Sequence, residues 1–129
     1  MNKLSILLCA HCPNVNYDNL LVKAINSIYE QSYKDYKLYI VLDECWEGTL
    51  SKVKDMITLD TEIIIRNKKE GLARAKNEGL KRINTEYVAF LDADDEYLPG
   101  KLEKQMNFME NNNVDFLGTL ATIKNKGQI

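Results

Sequence analysis

Short apolar runs recur along the chain, and segments with helical spacing of apolar residues separate them. The four clearest runs are Leu4–Cys9, Leu38–Leu42, Ile63–Ile65 and Tyr87–Leu91. Three of them are nearly continuous in apolar residues rather than alternating. This pattern is typical of strands covered on both faces, as in a parallel sheet. A later run, Phe116–Leu120, is predicted to form a fifth strand.

Helical periodicity fills the intervals between these runs. The first interval carries an apolar stripe made of Leu21, Ala24, Ile25 and Ile28, the spacing of a helix with one buried face. A second stripe consists of Leu72, Ala75, Gly79, Leu80 and Ile83. Thr49–Ile57 is a weaker helix candidate. Pro99 suits a helix start, and the residues spaced for a fourth helix after it are Leu102, Met106 and Met109.

Strands and helices therefore alternate, which predicts right-handed crossovers between parallel strands. The fold class expected is α/β, a Rossmann-like open and mostly parallel sheet with flanking helices. A length of 129 residues fits one domain, residues 1–129. A content of 45% hydrophobic and 28% charged residues is ordinary for a globular fold. The polar tail, Lys124–Ile129, is predicted to fray.

Charge and composition exclude several classes of protein. A net charge of −2 argues against a nucleic-acid-binding protein. No apolar run approaches the roughly 20 residues of a transmembrane helix, so an integral membrane protein is not expected. The first apolar run lacks a cleavage pattern for a signal peptide. Three cysteines, an odd number, do not make a disulfide framework and favour a reducing cytoplasm.

Polar residues follow the predicted strands at the edge where open α/β sheets bind ligands. These exits are, in chain order, Cys9-Ala10-His11-Cys12, Asp43-Glu44, Arg66-Asn67 and Asp92-Ala93-Asp94-Asp95. In the last exit, packed carboxylates repel one another unless a cation is present. Asp92 and Asp94 share one side in extended backbone, so they predict a site for a divalent ion such as Mg²⁺ or Mn²⁺. A solvated acidic loop that caps the next helix is the alternative.

Four stretches, in the same order, resemble segments of family 2 glycosyltransferases. Tyr87–Asp95, followed by Leu98-Pro99, is similar to the "DXD" segment of that family. Ala24–Tyr33 resembles the first helix, Tyr39–Asp43 the "VVDDGS" strand, and Gly71–Gly79 the "GxxxARNxG" helix. The resemblance extends over about residues 3 to 120.

The resemblance implies a GT-A type domain that binds a nucleotide-sugar, expected to be a UDP-sugar. In that family the residue matching Asp43 contacts the base, Asp92 faces the ribose and the metal, and Asp94 binds the metal. The metal, Mn²⁺ or Mg²⁺, bridges the diphosphate and offsets charge on it as it departs. The donor-binding residues implied are Cys9, Ala10, His11, Asp43, Lys76, Asp92 and Ala93, and the metal ligands are Asp94 and Asp92.

Three positions depart from the family pattern. Leu42 replaces one member of the usual aspartate pair. The first exit, Cys9–Cys12, replaces a small hydroxyl residue and an aromatic-Asn pair. Lys76 stands in place of the helix arginine, which keeps a cation but loses the guanidinium fork. Simple structural roles are also open: Asp43 as a cap, Lys76 as a solvated helix charge.

The acceptor half of the family follows the DXD segment and carries the general base, and this chain is expected to lack it. The catalytic base is therefore unknown, as are the sugar and the acceptor, which is a glycan, a lipid or a protein. A homo-oligomer could supply a base across its interface. A non-catalytic module that binds a nucleotide-sugar or a partner protein remains the alternative function.

The cysteines allow one further hypothesis. Cys9 and Cys12 form a CxxC motif with His11 inside it, and Cys45 follows the second strand. A dithiol redox site or a zinc site is conceivable there. No second CxxC exists, so small buried thiols without zinc are the favoured interpretation. Trp46 could stack on a base or sugar, but a partly exposed ring over a loop is favoured.

Overall fold

The computed structural model describes residues 2–58, 60–68 and 70–123. Within them, strands and helices alternate as the apolar pattern predicts. The elements are β1 (Leu4–Ala10), α1 (Val15–Tyr29), β2 (Tyr36–Asp43), α2 (Glu47–Lys54), β3 (Thr61–Arg66), α3 (Leu72–Leu80), β4 (Tyr87–Asp92) and α4 (Lys101–Asn111).

The described strands form one sheet in the order β3-β2-β1-β4, and every neighbouring pair is parallel. The register places Asp43 opposite Arg66 and Cys9 opposite Asp92. Because all strands run in the same direction, their carboxyl ends meet at one edge of the sheet. The prediction of an open, parallel, Rossmann-like sheet is confirmed.

The core lies on both faces of the two central strands. On one face, alternate residues of β1 and β2 join the apolar stripe of α1, all of which is buried, and Leu102 and Met106 of α4. On the other face, Leu7 lies in a smaller cluster with Ala75 of α3. A Cβ atom at Gly79 would collide with the Leu7 side chain, so the absence of that atom lets α3 approach the sheet.

Two predictions from the apolar pattern are wrong. Leu72 and Leu80 are 50% and 39% exposed, because α3 packs its small residues, Ala75 and Gly79, against the sheet. Phe116–Leu120 is not a strand, and its two end residues are fully or almost fully exposed. It pairs with none of the four described strands, and an apolar run without a ladder partner or a surface to cover does not form a strand.

Smaller differences concern bounds and coverage. The helix predicted at Thr49–Ile57 begins and ends earlier, as α2. β4 is an edge strand, and Phe90 is half exposed there, so full coverage on both faces applies to β1 and β2. The tail Lys124–Ile129 lies outside the described residues. Across the described part of the chain, no helix combines the length and hydrophobicity needed to cross a membrane.

Candidate functional site

The predicted site residues gather at the carboxyl edge of the sheet. In spatial order the strands end in Arg66, Asp43, Ala10 and Asp92. Neighbouring strands lie about 4.8 Å apart, so Asp43 and Asp92 are two strands apart, which is about 10 Å in the direction across the strands. One extended ligand lying over the end of β1 can therefore contact both carboxylates.

The acidic segment, residues 92–95, begins at the last residue of β4 and forms a tight turn. The Asp95 backbone N–H donates to the Asp92 carbonyl oxygen at 3.0 Å, and the side chains of all three aspartates are exposed. Partial burial, and then the charges of Asp94 and Asp92, raise the pKa of Asp95. The three carboxylates therefore repel one another, and a cation beside them would relieve that repulsion.

The donor set fits a cation that a substrate helps to hold. In the described ranges, no three His, Cys, Asp or Glu side chains are grouped so that they could bind a metal ion. Mg²⁺, however, commonly binds through one or two carboxylates and completes its shell with phosphate oxygens and water. The exposed pair Asp92 and Asp94 suits that arrangement, in which the metal and the phosphates bind together.

Lys76 reaches the acidic segment from α3. Its Nζ lies 3.8 Å from Asp92 Oδ1 and 5.9 Å from the centroid of the Phe90 ring. The close approach of α3 at Gly79 brings this cation over the end of β4. The structure therefore places two residues of the predicted donor site beside each other in a partly exposed ion pair, and the role of Lys76 in donor binding stays a prediction.

Asp43 is buried and paired with an arginine to which the sequence analysis gave no role. Arg66 Nε donates to Asp43 Oδ1 at 3.2 Å. The same guanidinium donates to the Arg74 carbonyl at 3.2 Å and to Glu70 Oε1 at 2.9 Å. Three acceptors thus fix Arg66, and Arg66 fixes the Asp43 carboxylate. The sequence did contain a sign of this ion pair: β2 and β3, which follow each other along the chain, end in residues of opposite charge.

The chain turns sharply after Asp43. Glu44 has φ of +50°, a left-handed conformation that is uncommon for residues other than glycine, and its N–H donates to the Arg66 carbonyl at 2.9 Å. His11 Nδ1 lies 3.0 Å from the Asp43 carbonyl oxygen. A carbonyl only accepts, so Nδ1 is the donor in this hydrogen bond.

Trp46 is held in place by a buried carboxylate. Its Nε1 donates to Asp18 Oδ2 at 2.8 Å, and Thr49 Oγ1 donates to Asp18 Oδ1 at 2.6 Å. The ring covers Gly48, where a Cβ atom would collide with it. These contacts join the start of α2 to α1, and they favour the interpretation of Trp46 as a partly exposed ring over a loop. Asp18 was not singled out from the sequence.

The CxxC motif does not bring its own two thiols together. Cys9 belongs to the smaller core cluster, and Cys12 belongs to the larger cluster on the other face. Cys12 instead contacts Cys45: its backbone N–H donates to Cys45 Sγ at 3.3 Å, and Cys45 Sγ lies 3.5 Å from the Ala10 carbonyl oxygen. All three cysteines are free. The redox or zinc hypothesis for Cys9 and Cys12 therefore has no geometric support.

Cys45 is expected to be the thiol that iodoacetamide modifies first, with a rate that rises through pH 7. The hydrogen bond with Cys12 lowers the pKa of Cys45 to about 7 and raises that of Cys12. Burial raises the pKa of Cys9 to about 11. Because the thiolate is the nucleophile, the Cys45 rate should climb as pH rises through about 7 and then level off. Peptide mapping by mass spectrometry measures each rate, and a Cys45 rate that still climbs tenfold between about pH 8 and 9 contradicts the prediction.

The parallel sheet with its flanking helices defines a Rossmann-like α/β domain, with acidic and basic residues at the carboxyl edge of the sheet. The chain matches the family model Glycosyl transferase family 2 over residues 9–127. It belongs to this family, as the four resembling segments indicated.

Individual relatives agree with this assignment. The chain is 30% identical over 114 residues to the UDP-Glc:alpha-D-GlcNAc-diphosphoundecaprenol beta-1,3-glucosyltransferase WfgD of Escherichia coli, which covers 88% of this chain and 45% of that protein. It is similar to S. aureus TarS 1-349 in complex with UDP-GlcNAc, with a TM-score of 0.75, 21% identity, and coverage of 84% of this chain and 31% of that one.

A second solved structure has the same fold. It is the mannosyltransferase PcManGT from Pyrobaculum calidifontis in complex with GDP-Man and Mn²⁺, with a TM-score of 0.72, 21% identity, and coverage of 83% of this chain and 32% of that one. The chain thus spans less than half the length of these three proteins. The GT-A fold is confirmed, while the donor-binding and metal-binding roles of the individual residues stay predictions.

Proposed function

We propose that this chain is the donor-binding part of a glycosyltransferase that takes a sugar from a UDP-sugar with the help of Mn²⁺ or Mg²⁺. The observation that carries the proposal is the arrangement at the sheet edge: the exposed pair Asp92 and Asp94 lies two strands away from the fixed carboxylate of Asp43. The E. coli relative is a UDP-Glc glucosyltransferase and the S. aureus structure is a complex with UDP-GlcNAc, and both support a UDP-sugar.

The two ends of the site would bind the two ends of the nucleotide. Asp43, with one oxygen held by Arg66, accepts a hydrogen bond from the imide N–H of uracil, a group that cytosine lacks. Asp92 faces the ribose, and the backbone of Cys9, Ala10 and His11 lies under the nucleoside. This arrangement selects the base at β2 and leaves the diphosphate over the end of β4.

Asp92 and Asp94 would hold the metal ion, which when bound offsets charge on the departing diphosphate. Asp92 and Asp94 flank Ala93, so one residue separates the two carboxylates in the sequence. Lys76, 3.8 Å from Asp92 Oδ1, contributes a second positive charge to the same region. Its ammonium group is a point charge rather than a bidentate fork, so it attracts phosphate without fixing its orientation.

The remaining assignments concern the whole protein. We propose that residues 1–129 act as one nucleotide-sugar-binding domain, with the general base and the acceptor wall supplied outside it. The diphosphoundecaprenol in the name of the E. coli relative supports a lipid-linked acceptor. The three free cysteines suit a reducing compartment, and we propose the cytoplasm.

UDP is expected to bind at least about tenfold more tightly with Mn²⁺ than in EDTA, a difference of about 1.4 kcal/mol. The reason is that the acidic pair repels a bare diphosphate and needs the cation between them. Titration calorimetry measures both affinities. CDP tests the selection of the base, and we expect it to bind more weakly than UDP. Uridine, which has no phosphates, is the control ligand and should not respond to Mn²⁺. Equal affinity for UDP in Mn²⁺ and in EDTA would contradict the proposal.

A further inference from the structure

The segment that carries the acidic residues is closed at its base by a tyrosine. Tyr97 is 6% exposed, and its hydroxyl donates to the Phe90 carbonyl oxygen at 2.7 Å. Burial raises the pKa of Tyr97, so the hydroxyl keeps its hydrogen. Phe90 precedes Asp92, and Tyr97 follows Asp94. This one hydrogen bond therefore joins the two ends of the acidic segment.

Hydrogen bonds also connect the residues that follow the acidic segment to Ser27 of α1 and to Gln31 just after this helix. The Tyr97 backbone N–H donates to Ser27 Oγ at 2.9 Å. Gln31, which is 1% exposed, donates through Nε2 to the Leu98 carbonyl at 2.8 Å and accepts at Oε1 from the Leu102 N–H at 3.0 Å. The backbone after the acidic residues is thus fixed at three successive points, from Tyr97 to the first turn of α4.

Among the described residues, no hydrogen bond to a side chain supports these two carboxylates in the same way. Asp92 and Asp94 are exposed, and the Asp92 carboxylate forms an ion pair with the Lys76 ammonium at 3.8 Å. Their positions are therefore set mainly by the backbone that carries them. A site that is held in its binding geometry before the ligand arrives loses less conformational freedom on binding, so the closure at Tyr97 should affect how well a cation is bound.

We propose that Tyr97 is a positioning residue for the Asp92 and Asp94 pair, through the hydrogen bond from its hydroxyl to Phe90. The inference rests on the proposed function, because it takes these two aspartates as the cation ligands. Without the hydroxyl, the backbone after the acidic segment keeps its hydrogen bonds to Ser27 and Gln31, but the hydrogen bond that joins the two ends of the segment is lost. The two carboxylates then occupy their binding geometry for a smaller fraction of the time.

The test is the Tyr97→Phe variant, which removes one oxygen and keeps the buried ring. Tyr36→Phe is the matched control: Tyr36 is 8% exposed, its hydroxyl donates to the Ile28 carbonyl at 3.3 Å, and it is the first residue of β2, at the end of the strand opposite the candidate site. Calorimetry gives the ratio of UDP affinity in Mn²⁺ to that in EDTA. We expect Tyr97→Phe to reduce this ratio by about 3- to 10-fold, the effect of one hydrogen bond, and Tyr36→Phe to leave it unchanged.

A purely structural role is separated by the same measurements. If Tyr97→Phe lowers the UDP affinity equally in Mn²⁺ and in EDTA, or only lowers the melting temperature as Tyr36→Phe does, the positioning role is overturned. Asp94→Asn, measured in parallel, distinguishes this from failure of the proposed function. If Asp94→Asn loses the metal-dependent gain while Tyr97→Phe keeps it, only the inference fails. If the unmodified protein shows no gain, the proposed function and the inference fail together.

Discussion

Replacement of Arg66 by methionine is expected to lower the free energy of unfolding by about 3–5 kcal/mol, the usual effect of removing one partner of a buried ion pair. The Arg66 and Asp43 side chains are 7% and 11% exposed, so water can do little to stabilise the carboxylate that remains. Methionine keeps most of the apolar contacts of the arginine stem. Urea unfolding measures the change, and thermal unfolding should show a midpoint about 10–20 °C lower.

Two further variants identify the cause. Lys3→Met removes an exposed ion pair, since Lys3 and Glu110 are 2.8 Å apart but more than a third exposed; it should change stability little. The double variant Asp43→Asn with Arg66→Met removes both charges, and it should be more stable than Arg66→Met alone. Two results would contradict this explanation. One is that Arg66→Met lowers the free energy of unfolding as little as Lys3→Met does. The other is that the double variant is no more stable than Arg66→Met, in which case the unpaired Asp43 carboxylate is not the source of the lost stability.

The order of strands and helices was predictable because burial on both faces leaves a direct mark on the sequence. β1 and β2 lie in the centre of the sheet, and their continuous apolar runs follow from that position. The rule that ligands bind at the carboxyl edge then selected Asp43 and Asp92 without any knowledge of contacts. These inferences need only periodicity and strand direction, both of which are local properties of the chain.

The contacts between elements were not predictable in the same way. Arg66 pairs with Asp43 because β2 and β3 are in register, and no local pattern states that register. Tyr97 and Gln31 are buried polar residues whose partners lie 7 and 67 residues away. Leu72 is apolar yet exposed, because the closest packing of α3 falls on Ala75 and Gly79 instead. Each of these outcomes depends on which elements meet, and the sequence alone specifies that only indirectly.

The charges at the edge of the sheet differ in how completely they are offset. Asp43 has a fixed counter-ion, because Arg66 is itself held by Glu70 and by a backbone carbonyl. Asp92 has a weaker partner in Lys76, at 3.8 Å and partly exposed. Asp94 contributes to the repulsion that raises the pKa of Asp95. Of Asp43, Asp92 and Asp94, only Asp94 has no ion pair with a described residue, so a cation has most to offer there.

Replacement of Asp94 by asparagine is expected to remove nearly all of the gain in UDP affinity that Mn²⁺ provides, a loss of about tenfold or more, or at least about 1.4 kcal/mol. Asparagine has nearly the same size and still presents an oxygen, but it lacks the charge that a hard divalent cation requires. Folding should not suffer, because the side chain is exposed and its charge raises the pKa of Asp95 rather than stabilising a partner. Calorimetry in Mn²⁺ and in EDTA measures the gain, and thermal unfolding checks the fold.

The control for this prediction is an exposed aspartate outside the acidic segment. Asp115 follows α4 and is also exposed, so Asp115→Asn changes the net charge of the chain by the same amount. If long-range attraction for Mn²⁺ were the cause, both variants would lose affinity alike and adding salt would weaken both losses. If Asp94 is a direct ligand of the metal, only Asp94→Asn should lose the gain in UDP affinity that Mn²⁺ provides. Its UDP affinity in EDTA should be unchanged or slightly higher, because one charge that repels the diphosphate has been removed. A full Mn²⁺ gain in Asp94→Asn would place the cation away from Asp94, with Asp92 as the remaining carboxylate to test.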